Sequence, residues 1–364
     1  MRLRRMNFEE LLSELKSELD TNKKPDKIKV SLLFACNTSG KTRLSKLFKE
    51  KYPNQVLCYN AFMEDFFFWD NEELVLRMSK HSWLAELIKD EGLDGQIIEN
   101  FKKLMNSKIE PSFDYDNGTI SFTNPMNEDY PSENIKISRG EESLFIWSIF
   151  YTVLRLGIAT LKENKENRST EYFDDIKYIV IDDPVSSMDD TRIITVALEL
   201  IELINQIKDS ENKLKILITT HHALFYNVLH SEKTPLWHQH SHVLSKIDNG
   251  DIRLDKQSND SPFSYHNLIF NELCSVIKDN NIQKYHFNLF RALLEKTANF
   301  LGYETWSDLL DEGDNKKVFV KILNHYSHDS LSDIETSHLQ DEEINAFKEI
   351  FEGFKVKFHW SCKE

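Results

Sequence analysis

Apolar residues near the start of the chain fall at helical spacing: Phe8, Leu11, Leu12, Leu15 and Leu19 share one face, which predicts an amphipathic helix over residues 7–19. After the polar break Thr21–Asp26, the run Ile28-Lys-Val-Ser-Leu-Leu-Phe34 has the length and composition of a buried strand, and a helix is expected from about Lys41. Val56–Tyr59 reads as a second strand and leads into an aromatic-rich segment, Asn60–Asp70. Residues 72–106 read as helical, and Asp116-Asn-Gly118 as the turn of a hairpin within 113–136. A helix then follows residue 137, a strand covers Tyr178–Ile181, a helix 190–208 and a strand Leu214–Thr219. Strands alternating with crossover helices predict a parallel sheet. Asp248–Ser261 is polar enough for a linker, and from Pro262 the pattern is mainly helical. The expected architecture is an α/β domain over 1–255 and a mainly α-helical domain over 256–364.

Composition narrows the class. At 364 residues the chain exceeds what one core commonly supports. It is 40% hydrophobic and 29% charged, as globular proteins are, and no uninterrupted apolar run approaches the ~18–20 residues of a bilayer span. With no apolar leader after Met1, a cytoplasmic protein without membrane association is expected. A net charge of −15 argues against unspecific coating of nucleic acid and restricts any RNA contact to a local patch. Cys36, Cys58, Cys274 and Cys362 lack metal-ligand spacing and read as reduced thiols. His238, His240 and His242 alternate as on a strand edge, where a polar face and a metal site are both conceivable readings.

Four motifs occur in a telling order. Ala35-Cys-Asn-Thr-Ser-Gly-Lys-Thr42 lies between a strand and a helix, as a phosphate-binding loop must. In that reading the backbone around Asn37, Ser39 and Gly40 faces phosphate at a helix N-terminus. Lys41 neutralises the β/γ-phosphates, and the Thr42 hydroxyl holds Mg²⁺. Ala35 and Thr38 depart from the usual glycines. Ile179-Val-Ile-Asp-Asp183 ends a strand in two carboxylates, Asp182 for the metal and Asp183 for activating water. This order of motifs resembles that of ABC-type ATPases, most of which carry glutamate where Asp183 stands. The aspartate is shorter by one bond, ~1.5 Å, so slow turnover is expected. His221 closes the next strand as a γ-phosphate sensor. Between these, Ile137-Ser-Arg-Gly-Glu-Glu-Ser143 resembles the signature loop of ABC-type ATPases, with Ser138, Gly140 and Glu141 reaching nucleotide on a second protomer. A homodimer or higher homo-oligomer follows from that family geometry. About 95 residues separate the phosphate loop from the signature, too few for the arms of chromosome-maintenance ATPases.

The C-terminal third holds Tyr285–Tyr303 and Asn324-His-Tyr-Ser-His-Asp329. Arg291 and Glu295 are one helical turn apart, a spacing that by itself describes many surface ion pairs. The chain as a whole resembles the PrrC-type anticodon nucleases. The resemblance is tightest at Tyr59–Asn71, Ser138–Ser143, Asp182–Ser187, Leu224–Leu229 and Tyr285–Tyr303. It implies nuclease residues at Arg291, Glu295 and His328, with His325 as the fallback for the last. It also implies metal-independent cleavage of tRNA in the anticodon loop by the RNA's own 2′-hydroxyl, giving 2′,3′-cyclic phosphate and 5′-hydroxyl ends. His328 would transfer protons, Arg291 would meet the charge on phosphorus, and Glu295 would orient them or act as the second proton-transfer group. No cofactor is expected for the cut, whereas GTP or ATP, or dTTP, with Mg²⁺ is expected at the other site. Phe263, Tyr265 and His266 match a segment that the resemblance ties to tRNA contact or complex assembly, and Tyr265 and Tyr285 would stack on bases or serve as core. By analogy the substrate is tRNA(Lys), and the silencing partner is a type I restriction–modification complex. The alternative is a defence ATPase whose C-terminal helices scaffold a separate effector.

Overall fold

The computed structural model describes residues 5–37, 39–60, 66–79, 82–105, 108–125, 134–186, 188–209, 214–231, 234–246, 251–257, 265–328 and 339–362; at 60, 209, 265, 268, 314, 315 and 324–328 it describes the backbone only. Thr38, Phe263 and the side chains of Tyr265, His325 and His328 thus lie outside the described residues.

The elements run β1 (Arg5–Met6), α1 (Phe8–Leu19), β2 (Ile28–Ala35), α2 (Lys41–Lys51), β3 (Val56–Asn60), β4 (Phe67–Asp70), β5 (Val75–Met78), α3 (Trp83–Asp90), α4 (Asp94–Met105), β6 (Glu110–Asp114) and β7 (Thr119–Thr123). They continue with α5 (Arg139–Lys162), β8 (Tyr178–Asp182), α6 (Asp190–Asn205), β9 (Lys215–Thr220), α7 (Ala223–Ser231), β10 (Trp237–Lys246) and β11 (Ile252–Lys256). The last four are helices: α8 (Tyr265–Lys278), α9 (Lys284–Leu301), α10 (Asp314–His328) and α11 (Asp341–Lys357). Two units emerge, Met1–Phe263 and Ser264–Glu364.

In the first unit a mixed seven-stranded sheet has the order β1-β11-β10-β2-β9-β8-β3. The run from β10 to β3 is parallel, and β11 joins β10 and β1 antiparallel. All eight residues of β2 are buried, as befits a strand covered on both faces. Helix α1 forms as its spacing predicts. Asn7 and Glu10 cap it reciprocally, and Leu11, Leu12, Leu15 and Leu19 pack on Leu33, Leu44 and Phe48. A second, antiparallel sheet has the order β4-β5-β7-β6.

Several expectations give way here. Residues 75–78 are a strand rather than helix, because pairing with Phe67–Asp70 and Thr119–Ser121 outweighs the helix-favouring Glu72 and Glu73. The expected linker Asp248–Ser261 contains β11. The three histidines lie on an interior strand, flanked by β2 and β11, rather than on an edge. Helix α5 is long and apolar enough to cross a membrane by length and composition, although Arg155 breaks its apolar run. Its most apolar stretch is 78% buried inside the unit, with Trp147 and Phe145 fully covered, so it reads as the core helix of the fold.

The second unit packs α8–α11 around Phe287, Phe290, Phe319, Phe347 and Phe351, whose rings meet at 4.7–6.5 Å. Cys274 on α8 and Cys362 after α11 are joined in a disulfide, with Cα atoms 5.8 Å apart. This corrects the reading of four free thiols. Helix packing brings together two cysteines 88 positions apart, which spacing along the chain does not reveal.

Candidate functional site

Register builds the first site. Phe34 pairs with Thr220 and Asp182 with Thr219, so the C-terminal ends of β2, β9 and β8 finish level with one another. Ligands of open α/β sheets collect at that edge. The loop after β2 turns through Gly40, whose φ of +98° is left-handed, and a Cβ there would stand 2.2 Å from the Phe8 ring. Only glycine fits at this position. Gly40 caps α2 without a side-chain bond, which leaves the first-turn N–H groups directed at the loop. The Ser39 hydroxyl donates to the Cys36 carbonyl at 2.5 Å.

Lys41 is 7% exposed, and its Nζ donates to the Ala35 and Cys36 carbonyls (3.0 and 3.3 Å) and to Asn37 Oδ1 (3.4 Å), with Asp183 Oδ2 at 3.7 Å. The Thr42 hydroxyl bonds the Asp182 carboxylate, which also accepts from Thr219 Oγ1 at 2.5 Å. Burial pushes the Asp182 carboxyl up. A buried carboxylate facing hydroxyls is a hard-oxygen donor set that a divalent cation would complete. Together with Lys41, these residues fit a nucleotide phosphate and Mg²⁺.

Asp183 is bound differently. Its φ is +53°, a strained setting that aspartate tolerates better than most residues. Its carboxylate accepts from Thr220 Oγ1 (3.3 Å) and the His221 N–H (3.2 Å) and pairs with His221 Nδ1. Burial works to raise its pKa, but the His221 bond and the neighbouring charges of His221 and Lys41 outweigh it and hold the carboxyl low. Asp183 is therefore a weakly basic carboxylate pinned to its neighbours.

Ser138 and Glu141 lie at the N-terminus of α5, where they cap their own helix: the Ser138 hydroxyl accepts from the Glu141 N–H at 3.3 Å and Glu141 Oε2 accepts from the Ser138 N–H at 2.6 Å. Gly140 is the second residue of that helix. Thr219 and Thr220 were not singled out from sequence as site residues, although they directly precede His221, and Phe8 reads there only as part of the apolar face of the first helix.

The second unit presents Arg291 and Glu295 on α9, beside the buried stripe of Phe287, Phe290, Leu294 and Ala298. Arg291 Nε donates to Glu295 Oε1 at 2.8 Å, and the guanidinium lies 5.6 Å from the centre of the Trp306 ring. Both side chains keep solvent access, at 29% and 46% exposure. Trp306 was also missed, since nothing in the spacing ties it to Arg291. His328 is the last residue of α10. His266 is exposed on α8, and burial of its ring lowers its pKa.

A sequence profile described as an AAA domain matches residues 95–354. A curated relative, "Anticodon nuclease" of Escherichia coli, is 40% identical over 364 aligned residues, 88% of this chain and 90% of its own. The chain belongs to the anticodon nuclease family. Solved structures with likeness include an SMC head bound to the C-terminal winged-helix domain of ScpA (12% identity, 48% of this chain and 45% of that one, TM-score 0.30). A putative cobalt transport ATP-binding protein is 11% identical over 64% of this chain and 83% of its own, at a TM-score of 0.31. At such scores the ATPase-type α/β fold rests on the sheet order and the profile match, not on these likenesses.

Proposed function

We propose that this protein is a nucleotide-regulated endoribonuclease that cuts tRNA in its anticodon loop. The observation that carries the reading is the 40% identity to an anticodon nuclease, which extends over 88% of the chain. The two clusters suit the two tasks. Lys41 would bind the phosphates, and Thr42 and Asp182 would hold the Mg²⁺ that neutralises them. Asp183, with its basicity suppressed by His221 and Lys41, is a poor general base, which suits slow turnover and a switch. His221 would register the γ-phosphate through that same carboxylate, and Ser138, Gly140 and Glu141 would complete the nucleotide site of a second copy.

On α9, Arg291 has the charge and exposure to meet a pentacoordinate phosphate, and Glu295 holds its fork in place. His328 would exchange protons with the 2′-hydroxyl and the 5′-oxygen, so the cut leaves 2′,3′-cyclic phosphate and 5′-hydroxyl ends without a metal. Nucleotide at the first unit would bias which arrangement of the nuclease helices is populated. A type I restriction–modification complex as silencer, and tRNA(Lys) as substrate, complete the reading.

The test is purified protein with total bacterial tRNA and GTP, ATP or dTTP, run with Mg²⁺ and again with EDTA added once nucleotide has bound, the ends mapped by sequencing. Cuts confined to one anticodon loop and lost in His328→Ala support the proposal. Intact tRNA under every nucleotide, with nucleotide binding verified, overturns it in favour of a scaffold.

A further inference from the structure

Far along α1 from the phosphate loop lies a cluster that the nucleotide and RNA chemistry does not use. Glu18, on the last turn of α1, faces His240 and His242 on β10. Its Oε1 is 3.4 Å from His240 Nδ1 and its Oε2 is 2.8 Å from His242 Nε2. The three ligand atoms all lie within 4.8 Å of one another. His242 is 3% exposed, Glu18 and His240 about a fifth, and the two imidazoles are parallel with centres 6.4 Å apart. Alternation along a strand is what sets both rings on one face.

Two histidines and one carboxylate form the donor set of three-ligand zinc sites. Zinc at ~2.0–2.1 Å from each donor in tetrahedral geometry needs donors ~3.3 Å apart. The Glu18 contacts of 2.8 and 3.4 Å, one through each carboxylate oxygen, bracket that separation, and with one oxygen chosen as the ligand all three donor separations lie within 4.8 Å, so the set would close slightly on a metal. The carboxylate lies between the rings, one oxygen toward each. His240 Nε2 and His242 Nδ1 are buried with no hydrogen-bond partner among the described residues, so a metal on the opposite nitrogens would lack the outer acceptors that support most histidine ligands, and its affinity would rest on the three ligands alone. His238 is not part of the set: its Nδ1 is 3.4 Å from Lys29 Nζ, a cation that keeps a metal from that end.

We propose that Glu18, His240 and His242 bind one Zn²⁺, or a divalent transition metal of similar softness, with water in the fourth position. The metal would fasten the end of α1 to the sheet. The other end of that helix carries Phe8, the ring that packs on Gly40 of the phosphate loop. A helix rises ~1.5 Å per residue, so the two attachments are ~15 Å apart on one rigid element.

The full chain, in excess Mg²⁺ to occupy hard-oxygen sites, is titrated with Zn²⁺ against a chromogenic chelator and then with Co²⁺ for its visible spectrum. About one zinc per chain is expected, with a higher melting temperature, in the wild type. Glu18→Gln keeps a hydrogen-bonding group and should preserve the fold. It and His240→Asn are each expected to weaken binding beyond the ~10–100-fold that loss of an outer-shell partner causes. Cobalt should show tetrahedral bands without thiolate charge transfer. Zinc bound equally by wild type and variants, a thiolate band implicating Cys36 or Cys58, or no zinc retained by the wild type would each overturn the proposal.

Discussion

The two units hold their candidate residues by opposite means. In the first, Lys41, Asp182, Asp183 and His221 come from three separate strand ends and meet only because β2, β9 and β8 are parallel and in register. In the second, Arg291 and Glu295 come from one helix and would be neighbours in any helix. The first geometry is therefore informative in itself, since the 141 residues between Lys41 and Asp183 had to fold correctly to bring the two together. The second geometry gains meaning only from its surroundings: the aromatic plane of Trp306, the exposure, and the company of α10.

The sharpest way to separate the units is to loosen one alone. Reducing Cys274–Cys362, or replacing Cys274 by serine, should destabilise the helical unit by ~4–5 kcal/mol on the chain-entropy account of an 88-residue loop. Two melting transitions should result, only one of them sensitive to reductant. In the oxidised native protein at pH 8, iodoacetamide should leave Cys58 unmodified, because burial pushes its thiol up to about 12 and the thiolate is scarce at any lower pH. Phe290→Ala, at the centre of the phenylalanine cluster, should cost about 3–5 kcal/mol in the same transition and leave nucleotide binding intact. A single merged transition in calorimetry would contradict this independence.

Arg291→Ala should lower tRNA cleavage by roughly 10²–10³-fold, the effect of removing one transition-state donor, with nucleotide hydrolysis unchanged. Cleavage at the wild-type rate would reduce the Arg291–Glu295 pair to a surface ion pair. The smallest effect belongs to the first unit: Asn7→Ala removes the cap of α1 and should cost about 1 kcal/mol, read by denaturant melting.

The α/β order and the meeting of Lys41, Asp182, Asp183 and His221 were legible because each depends on short-range pattern. Strand β2 is a buried apolar run; Asp182 ends a strand, His221 directly follows one, and Lys41 opens the helix after the β2 loop. Strand β5 was not legible, since the Glu72-Glu73 pair favours helix and only pairing across the sheet overrules it. Nor was β11, whose Arg253, Asp255 and Lys256 look like linker but lie in a strand that only the two-residue β1 separates from the edge of the sheet. The disulfide and the Glu18–His240–His242 cluster join residues 88 and more than 220 positions apart, and no local signal announces such pairs.

The placing of Ser138 has a mechanical meaning. It caps α5, a helix of 24 residues and thus ~36 Å, whose flank is sunk in the interior of its unit. A loop on the surface could absorb a push by bending. A cap on a rod packed into a dense interior has less room to do so, and a push on Ser138 would be passed to what packs along the rod, including the Tyr59 ring that meets Trp147 at 5.3 Å.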